Sequence, residues 1–473
     1  MERLGGLDAA FLYFETPTMH MHVSGLLVLD PSTMREGYSF GAIKKLLTER
    51  MPLMPAMRRK LARVPFNLGR PYWIEDAEFD IDYHLRRIGL PAPGGQRELA
   101  ELAGDIASRP LDRSRPLWEM WVIEGLANGQ VAIFAKMHHS TIDGISGANM
   151  MVYLFDLEPE PAGSPASEDE WKPERAPSEL ELLARGALDT VSRPFGIARV
   201  LPSTALRIGT VLWNAGRNRG TGRSSATPFT APRTSFNAAV TAHRTIAFTE
   251  VPLADVKKVK EAFGVKVNDV VTAVVSGALR RYLDDRGELP DKSLIAAVPV
   301  SVHDQASGLE GATKVSVMFS SLASDVADPV ARLRVIAAAN AEAKEIHKMV
   351  GADTLMQWAE HAAPNTFSLA ARLYSSLRFA DRHPVVHNLI ISNVPGPPVP
   401  LYMAGARLVG LYPLGPIMDG AGLNVTVLSN EDHIGFGFIA SRELVPNVWD
   451  LAEAVPEALG QLVKEADQST AAG

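Results

Sequence analysis

Met137-His138-His139-Ser140-Thr141-Ile142-Asp143-Gly144 lies between two apolar segments of the 473-residue chain. The hydrophobic residues 131–137 that lead into it predict a buried strand, and the apolar pattern of residues 145–157 after it predicts a helix. Two adjacent imidazoles at the end of a buried strand need polar partners, because burying a polar group without one is destabilising. With an acid and a glycine in the following turn, this stretch is the candidate chemical centre of the protein.

A β-hairpin is predicted immediately before the two histidines. Residues 117–125 and 131–137 both have strand-like patterns, and Asn128-Gly129 between them is the strongest short hairpin signal. Successive side chains on a strand point to opposite faces of the sheet. We therefore expect His138 and His139 to separate, with one imidazole facing the site and the other packed inside.

An imidazole in this position is suited to proton transfer. Neutral imidazole, with an unperturbed pKa of about 6.5, can take a proton from an alcohol near neutral pH and typically contributes about 10²–10⁴-fold to the rate. Asp143 either orients the imidazole or pairs with an arginine and fixes the turn, and its place beyond the strand favours the structural role. The structural alternative is a pair of core histidines bonded to backbone carbonyls. No metal site is predicted, because the chain has no cysteine and no helical histidine pair at metalloprotease spacing.

Composition narrows the class of protein. A chain of 473 residues predicts two domains, and 46% hydrophobic with 21% charged residues is normal for a globular protein. The net charge of −7 gives no electrostatic case for nucleic acid. The absence of cysteine excludes disulfides and thiol nucleophiles and fits a cytoplasmic protein. The N-terminus lacks a signal-peptide pattern and no run reaches the ~18 apolar residues of a membrane span, so we expect a soluble or peripheral protein.

Three segments follow from the pattern along the chain. Residues 1–158 form the first folded domain, and 241–473 form the second. Between them, residues 159–240 combine a Pro-, Ala-, Ser- and acid-rich linker with an arginine-rich helical part. Both domains mix strands with helices, which predicts a two-domain α/β or α+β architecture. The expected elements include strands at 21–30, 294–302, 315–322, 388–393, 407–411, 423–428 and 434–440, and helices at 40–51, 99–107, 251–263, 270–283, 329–347, 354–379 and 449–463.

The segment Leu180–Arg223 carries arginines among apolar residues, with Asp189 as its one acid from Ala184 onward. Such a segment suits an anionic membrane surface. An ordinary cross-domain helix pair with a solvated basic face explains the same pattern equally well. Both interpretations stand at this point.

Several motifs together resemble one known family. His138-His139-Ser140-Thr141-Ile142-Asp143-Gly144 matches the HHxxxDG motif of the bacterial wax ester synthase/acyl-CoA:diacylglycerol acyltransferase family, itself similar to the wider CoA-dependent acyltransferases. HHxxxD alone marks only that superfamily. Further stretches resemble family signatures and extend the likeness along nearly the whole chain: 7–13, Pro116-Leu117-Trp118 (PLW), Asn268-Asp269 (ND), 392–397 and 412–416. Residues 311–314 depart from the Gly-Asn pair expected in many relatives, which leaves substrate preference open.

This resemblance implies a chloramphenicol-acetyltransferase-like fold with the active site at the domain interface. It implies an O-acyltransferase in which His139 is the general base, with His138, Asp143 and Gly144 in support. The acyl donor is acyl-CoA, and the acceptor is diacylglycerol (triacylglycerol synthesis) or a long-chain alcohol (wax ester synthesis). No cofactor and no metal are implied, and the expected location is cytoplasmic, peripheral at the inner face of the plasma membrane or on lipid inclusions. The oligomeric state stays open.

The remaining motif residues have structural and functional interpretations. Asn268 resembles a helix N-cap and Asp269 an acid in the first turn, which favours a structural role over catalysis. Pro116, Leu117 and Trp118 are expected to pack beneath the hairpin, with substrate contact as the alternative. Asn393 lies in a rigid loop that could line a substrate tunnel. His20 and His22 share a strand face and are interpreted as wall or core.

Two further functions compete with the leading one. The first is an enzyme of the same fold that acylates a polyketide diol or a carrier-bound amine. The second is a non-catalytic lipid-binding paralogue, which would be expected to have lost His139 or Asp143. Both residues are present, which weighs against it.

Overall fold

Two six-stranded sheets form the frame of the protein. The computed structural model describes residues 1–141, 151–160, 175–191, 227–302, 314–350 and 363–471. The first part of the chain contains β1 (Glu2–Arg3), α1 (Gly6–Phe14), β2 (His22–Asp30), α2 (Phe40–Arg50), β3 (Arg59–Ala62), β4 (Tyr72–Glu75), α3 (Ile81–His84), β5 (Leu85–Gly89), α4 (Gln96–Ala107), β6 (Trp118–Glu124) and β7 (Val131–His138). Residues 151–154 and 179–191 are also helical.

In the described residues after 240, the chain contributes eight strands and five α-helices. They are β8 (Arg244–Pro252), α5 (Leu253–Phe263), α6 (Val267–Asp284), β9 (Ile295–Val302), β10 (Lys314–Ser321), α7 (Pro329–Val350), α8 (Pro364–Ser376), β11 (Leu389–Val394), β12 (Tyr402–Met403), β13 (Ala406–Leu414), β14 (Leu423–Asn430), β15 (His433–Ser441) and α9 (Val448–Ala471).

The first sheet has the strand order β12-β13-β2-β7-β6-β5. Strands β6 and β7 pair antiparallel, with Trp118 opposite Met137, so the predicted hairpin is confirmed. Strand β2 pairs antiparallel with β7 and places His22 opposite His138. A separate three-stranded sheet, β1-β4-β3, lies in the same part of the chain.

The second sheet has the strand order β10-β9-β11-β14-β15-β8. Helices α6 and α9 bury an almost entirely aliphatic core against it, including Val271, Val275 and Leu451. Most elements expected from the sequence are present with bounds shifted by a few residues. Helix α6 begins three residues earlier than expected, and α8 covers only the second part of the helix expected at 354–379, whose first part lies outside the described residues.

Strand β13 connects the two halves of the protein. It follows the second sheet's β11 in the chain yet pairs with β2, so the first sheet contains strands from both parts of the chain. Strand β13 packs closely on β15, because the β15 residues that face β13 are glycines. A Cβ on Gly437 would lie 1.9 Å from the Pro413 carbonyl oxygen, and one on Gly435 would lie 2.3 Å from that of Leu411. No other residue type fits this junction without movement of the backbone.

Among the described residues, no single helix is both long and apolar enough to cross a membrane. The bent pair α5 and α6, with an angle of 106° between the helices, passes that test only when the two are taken together. Twelve residues of α6 are buried, nine of them in the hydrophobic core against the second sheet, which explains the apolar composition of the helix.

Candidate active site

His138 is the last residue of β7 and its side chain is 1% exposed. A tight turn follows, in which the Thr141 amide donates to the His138 carbonyl at 2.9 Å. The Ser140 amide donates to His138 Nδ1 at 3.1 Å, and Ser140 Oγ lies 2.7 Å from the same nitrogen. Because a backbone N–H donates to Nδ1, the proton of a neutral His138 is on Nε2.

The Nε2 side of His138 faces Glu15, which follows the last residue of α1. The distance from His138 Nε2 to Glu15 Oε2 is 3.2 Å. Arg113 Nε donates to the same carboxylate oxygen at 2.8 Å, and Arg113 Nη2 contacts it and also donates to the Leu12 carbonyl at 2.9 Å. The Arg113–Glu15 ion pair therefore fixes the carboxylate that orients His138.

Burial and charge set the protonation states of this pair. Burial lowers the pKa of His138 below its ordinary value, and the Glu15 carboxylate opposes that shift only in part. Burial raises the pKa of Glu15, but His138 and Arg113 outweigh it and hold that pKa below its usual range. Near neutral pH the arrangement is therefore a neutral imidazole beside a carboxylate and a guanidinium.

His139 lies in the turn and is only half-buried. Its backbone amide donates to the Met21 carbonyl at 2.9 Å, which ties the turn to the start of β2. Its ring stacks on Phe11 of α1, with 3.8 Å between ring centroids and 22° between the planes. Adjacent histidines thus occupy different environments, with His138 enclosed and His139 partly accessible. Asp143 and Gly144 lie outside the described residues.

A column of polar side chains continues from His138 across one face of the first sheet. The His22 ring lies 6.4 Å from that of His138, and the His20 ring lies 5.3 Å from that of His22. On the same face, Lys136 Nζ is buried and donates to the Ile106 and Arg109 carbonyls at 3.1 and 2.9 Å. Burial and the nearby Arg244 charge lower the pKa of His20 to about 4, and burial also places the pKa of His22 well below its ordinary value.

This polar face is directed toward the second half of the protein. His20, His22 and Arg244 line a small cavity together with Ile439 of β15 and residues 415–417, which follow β13. The histidines predicted to be wall or core are thus buried where the two sheets meet.

The ND residues occupy the first turn of α6. Lys266 is the N-cap, so the predicted N-cap role of Asn268 is wrong: the helix starts earlier because Asp269 reaches back to accept from the Lys266 amide at 3.0 Å. Asn340 of α7 donates to the other Asp269 oxygen at 2.8 Å. Asn393 lies in β11, so its predicted place in a loop is wrong. Its Nδ2 donates to Asn268 Oδ1 at 3.1 Å, which brings these two predicted site residues together at the C-terminal end of that strand.

Pro116, Leu117 and Trp118 are buried at the start of the hairpin. The Trp118 side chain is 1% exposed, and its indole N–H donates to the Met57 carbonyl at 2.7 Å. The Leu117 carbonyl accepts from the His138 amide at 3.0 Å. This placement supports the packing role, and contact with substrate stays a prediction.

Residues 4–271 match the wax ester synthase/diacylglycerol acyltransferase catalytic domain, and residues 312–463 match the C-terminal domain of the same family. The chain belongs to this family. The chain is 43% identical over 469 residues to a Mycobacterium tuberculosis (strain H37Rv) protein that is provisionally named a diacylglycerol O-acyltransferase. That alignment covers 99% of this chain and 91% of the mycobacterial protein. A second such protein from the same strain is 35% identical, covering 94% and 92%.

Solved structures show the same architecture. The wax ester synthase/diacylglycerol acyltransferase from Marinobacter aquaeolei VT8 superposes with a TM-score of 0.70 at 29% identity, covering 99% of this chain and all of that one. The first condensation domain of a calcium-dependent antibiotic synthetase superposes with a TM-score of 0.54 at 14% identity, covering 98% and 96%, which concerns the fold alone. The predicted two-domain acyltransferase fold is confirmed, and the chain is an acyltransferase.

In this acyltransferase, sequence reasoning missed three residues of the histidine centre: Phe11, Glu15 and Arg113. Phe11 belongs to residues 7–13, which resemble the start of the family's sequences, but only its stacking on His139 shows that it is part of the site. Glu15 and Arg113 are 98 positions apart, so no local pattern pairs them. Among the described residues, no group of three or more histidine, aspartate or glutamate side chains is placed to hold a metal ion.

Proposed function

We propose that the protein transfers a long-chain fatty acyl group from acyl-CoA to the hydroxyl of diacylglycerol or of a long-chain alcohol. The observation that carries this proposal is the difference between the two histidines: His138 is enclosed and anchored by Glu15 and Ser140, while His139 remains partly accessible beside Phe11. The names of the mycobacterial and Marinobacter relatives supply the acceptor classes.

His139 acts as the general base. It takes the proton of the acceptor hydroxyl as the oxygen attacks the thioester carbonyl, and the C–S bond breaks when the tetrahedral intermediate collapses. The imidazolium then gives the proton to the departing CoA thiolate, so the base is regenerated with each turnover. Acyl-CoA enters as a substrate, and neither an acyl-enzyme nor a cofactor takes part.

His138 has a positioning role in this scheme. Its ring holds the turn through Ser140, and the Glu15–Arg113 pair holds the ring. The supporting role that the family motif implies for Asp143 and Gly144 stays a prediction, because both lie outside the described residues. Asn268 and Asn393 form a polar pair at the C-terminal end of β11. The mechanism also requires a hydrogen-bond donor for the oxyanion of the tetrahedral intermediate.

Both substrates are lipidic, so the proposal includes a cytoplasmic protein that works peripherally at a membrane or lipid-inclusion surface. Helical residues 180–191, the described part of Leu180–Arg223, support this location. Leu188 and Val191 are 72% and 70% exposed, while Thr190 bonds the Leu68 carbonyl and holds the helix on the protein. Residues 192–223 of that segment lie outside the described residues.

The acceptor class is tested by offering labelled palmitoyl-CoA with diacylglycerol and with hexadecanol in separate assays, and measuring triacylglycerol and wax ester. We expect ester formation with at least one acceptor and release of one CoA for each ester. Release of CoA without ester would indicate hydrolysis and contradict the proposal. Turnover only with a polyketide diol or a carrier-bound amine would support the competing enzyme.

A further inference from the structure

Helix α8 leaves a broad apolar stripe uncovered. Only Pro364 and Ala371 of its 13 residues are buried. Leu369, Leu373 and Leu377 are 58%, 48% and 50% exposed, and their spacing of four residues places them along one side of the helix. Phe379, just beyond, is 42% exposed. Contiguous apolar surface of this kind marks an interaction site far more often than isolated exposed residues do.

The stripe is flanked by positive charge on a chain that is negative as a whole. Arg372, Arg378 and Arg382 are all exposed, and Asp381, which bonds Arg378 at 2.7 Å, is the one acid among residues 363–382. These residues therefore carry a net charge of +2 within a protein of net charge −7. A basic border around leucine and phenylalanine complements an anionic surface with an apolar interior.

Another face of α8 contacts the histidine centre through α1. Phe367 packs edge-on against Phe14 with 4.8 Å between ring centroids, and Ser375 Oγ lies 3.2 Å from Thr18 Oγ1. One turn before Phe14, Phe11 stacks on His139. The exposed stripe is thus separated from the site of acyl transfer by the thickness of two helices.

The apolar surface continues beyond α8 toward the helical residues 179–191. Asn365 Nδ2 donates to the carbonyl of Phe66, whose side chain is 79% exposed. Two residues later, the Leu68 carbonyl accepts from Thr190. Exposed aromatic and aliphatic side chains therefore occur on three stretches that are in contact with one another.

We propose that the α8 surface, defined as Leu369, Leu373, Leu377 and Phe379 with Arg372, Arg378 and Arg382, docks on an anionic lipid surface. This inference rests on the proposed function in one respect: a lipid acceptor has to reach His139 from such a surface. The leucines enter the boundary between headgroups and acyl chains, and the arginines bind lipid phosphates. The site beside α1 then receives the acceptor without its passage through water.

Vesicle binding of the full chain tests the proposal. The probes are phosphatidylcholine vesicles with and without phosphatidylglycerol, in a flotation assay. We expect Leu369→Gln/Leu373→Gln/Leu377→Gln to weaken binding by on the order of 100-fold, because each leucine loses apolar burial. Arg372→Glu/Arg382→Glu should weaken binding to phosphatidylglycerol vesicles by about tenfold or more and remove its salt dependence.

The matched control is Arg334→Glu/Val335→Gln, because both residues are exposed on α7 and lie outside the α8 surface. It should bind vesicles like the wild type. Unchanged vesicle binding by both α8 variants would overturn the proposal. An absence of vesicle binding by the wild type would also overturn it. The wild type could also sediment as a dimer and the leucine variant as a monomer that still binds vesicles. That result would assign the surface to contact with a second copy and would also overturn the proposal.

Turnover of acyl-CoA with a short monomeric alcohol, without vesicles, separates this inference from the proposed function. The α8 variants should retain that turnover while losing the activity that depends on vesicles. If vesicle binding follows the prediction but the wild type turns over no acceptor, the docking surface stands and the proposed function fails.

Discussion

The two six-stranded sheets bury polar side chains in different ways. On the first sheet, His22, Lys136 and His138 share one face, and charged groups such as Glu15 stand beside them. Behind the second sheet, Ser320 donates a hydrogen bond of 2.6 Å to Asn340, and Asn340 donates one of 2.8 Å to Asp269. This hydrogen-bond network stabilises the start of α6. The first sheet therefore buries histidines whose pKa values are lowered, so that they stay neutral, whereas the second buries polar groups that stabilise one structure.

The largest expected effect is the loss of stability in acid. Folding lowers the pKa values of His20, His22, His84 and His138, so the unfolded chain binds more protons as the pH falls. A folded pKa of about 4 for His20, against about 6.5 unfolded, removes about 2 kcal/mol at pH 5 for that histidine alone. The stability is present above pH ~6.5 and declines toward pH ~4.

Thermal unfolding midpoints at several pH values between neutral and mildly acidic check this expectation. His20→Leu should flatten the pH dependence, because it removes a group whose pKa falls on folding. Equal pH dependence in His20→Leu and the wild type would show that the first sheet does not hold its histidines neutral.

The junction between the sheets should tolerate no side chain at Gly437. Gly437→Ala places a methyl group against the Pro413 carbonyl oxygen and should destabilise the protein by about 3 kcal/mol. Gly460→Ala, on an exposed position of α9 with no neighbouring atom within 4 Å of the new methyl group, should be neutral or stabilising. Denaturant unfolding of both variants measures the difference, and equal stability would contradict the close packing of β13 on β15.

Glu15→Gln tests the polar side of the first sheet through activity. Without the carboxylate, Arg113 loses its anion and His138 loses the group that orients it, so kcat should fall by about 10- to 100-fold with little change in KM for acyl-CoA. Glu2→Gln, which removes an exposed partner of Arg59, is the control. A loss confined to KM would indicate that Glu15 acts on substrate binding instead.

The smallest expected effect concerns the second sheet. Asn340→Ala removes the hydrogen bond to Asp269 and should cost about 1–2 kcal/mol of stability. The folded variant should keep its kcat, because the group supports a helix start. Lys344→Ala, exposed on the same helix, should change neither quantity. If Asn340→Ala kept its full stability but lost much of its kcat, the hydrogen bonds among Ser320, Asn340 and Asp269 would have a role in catalysis.

Local patterns predicted the hairpin, the separation of His138 from His139 and the end of α5 at Phe263. These features depend on the alternation of residues along a strand and on the residue types in turns. Both can be recognised from a few neighbouring positions in the sequence. The pairing of β13 with β2 and the Glu15–Arg113–His138 contacts join residues roughly 100 to 400 positions apart in the chain. No spacing rule encodes such contacts. The start of α6 was misread because Asp269 caps from inside the helix.

Single-turnover transfer from palmitoyl-CoA, compared between the wild type and His139→Ala, tests the central claim most directly. The rate of ester formation should fall by about 10²–10⁴-fold, with acyl-CoA binding and the unfolding midpoint unchanged, since His139 is the partly accessible member of the pair. A His139→Ala protein that forms ester within about tenfold of the wild-type rate would contradict general-base catalysis by His139.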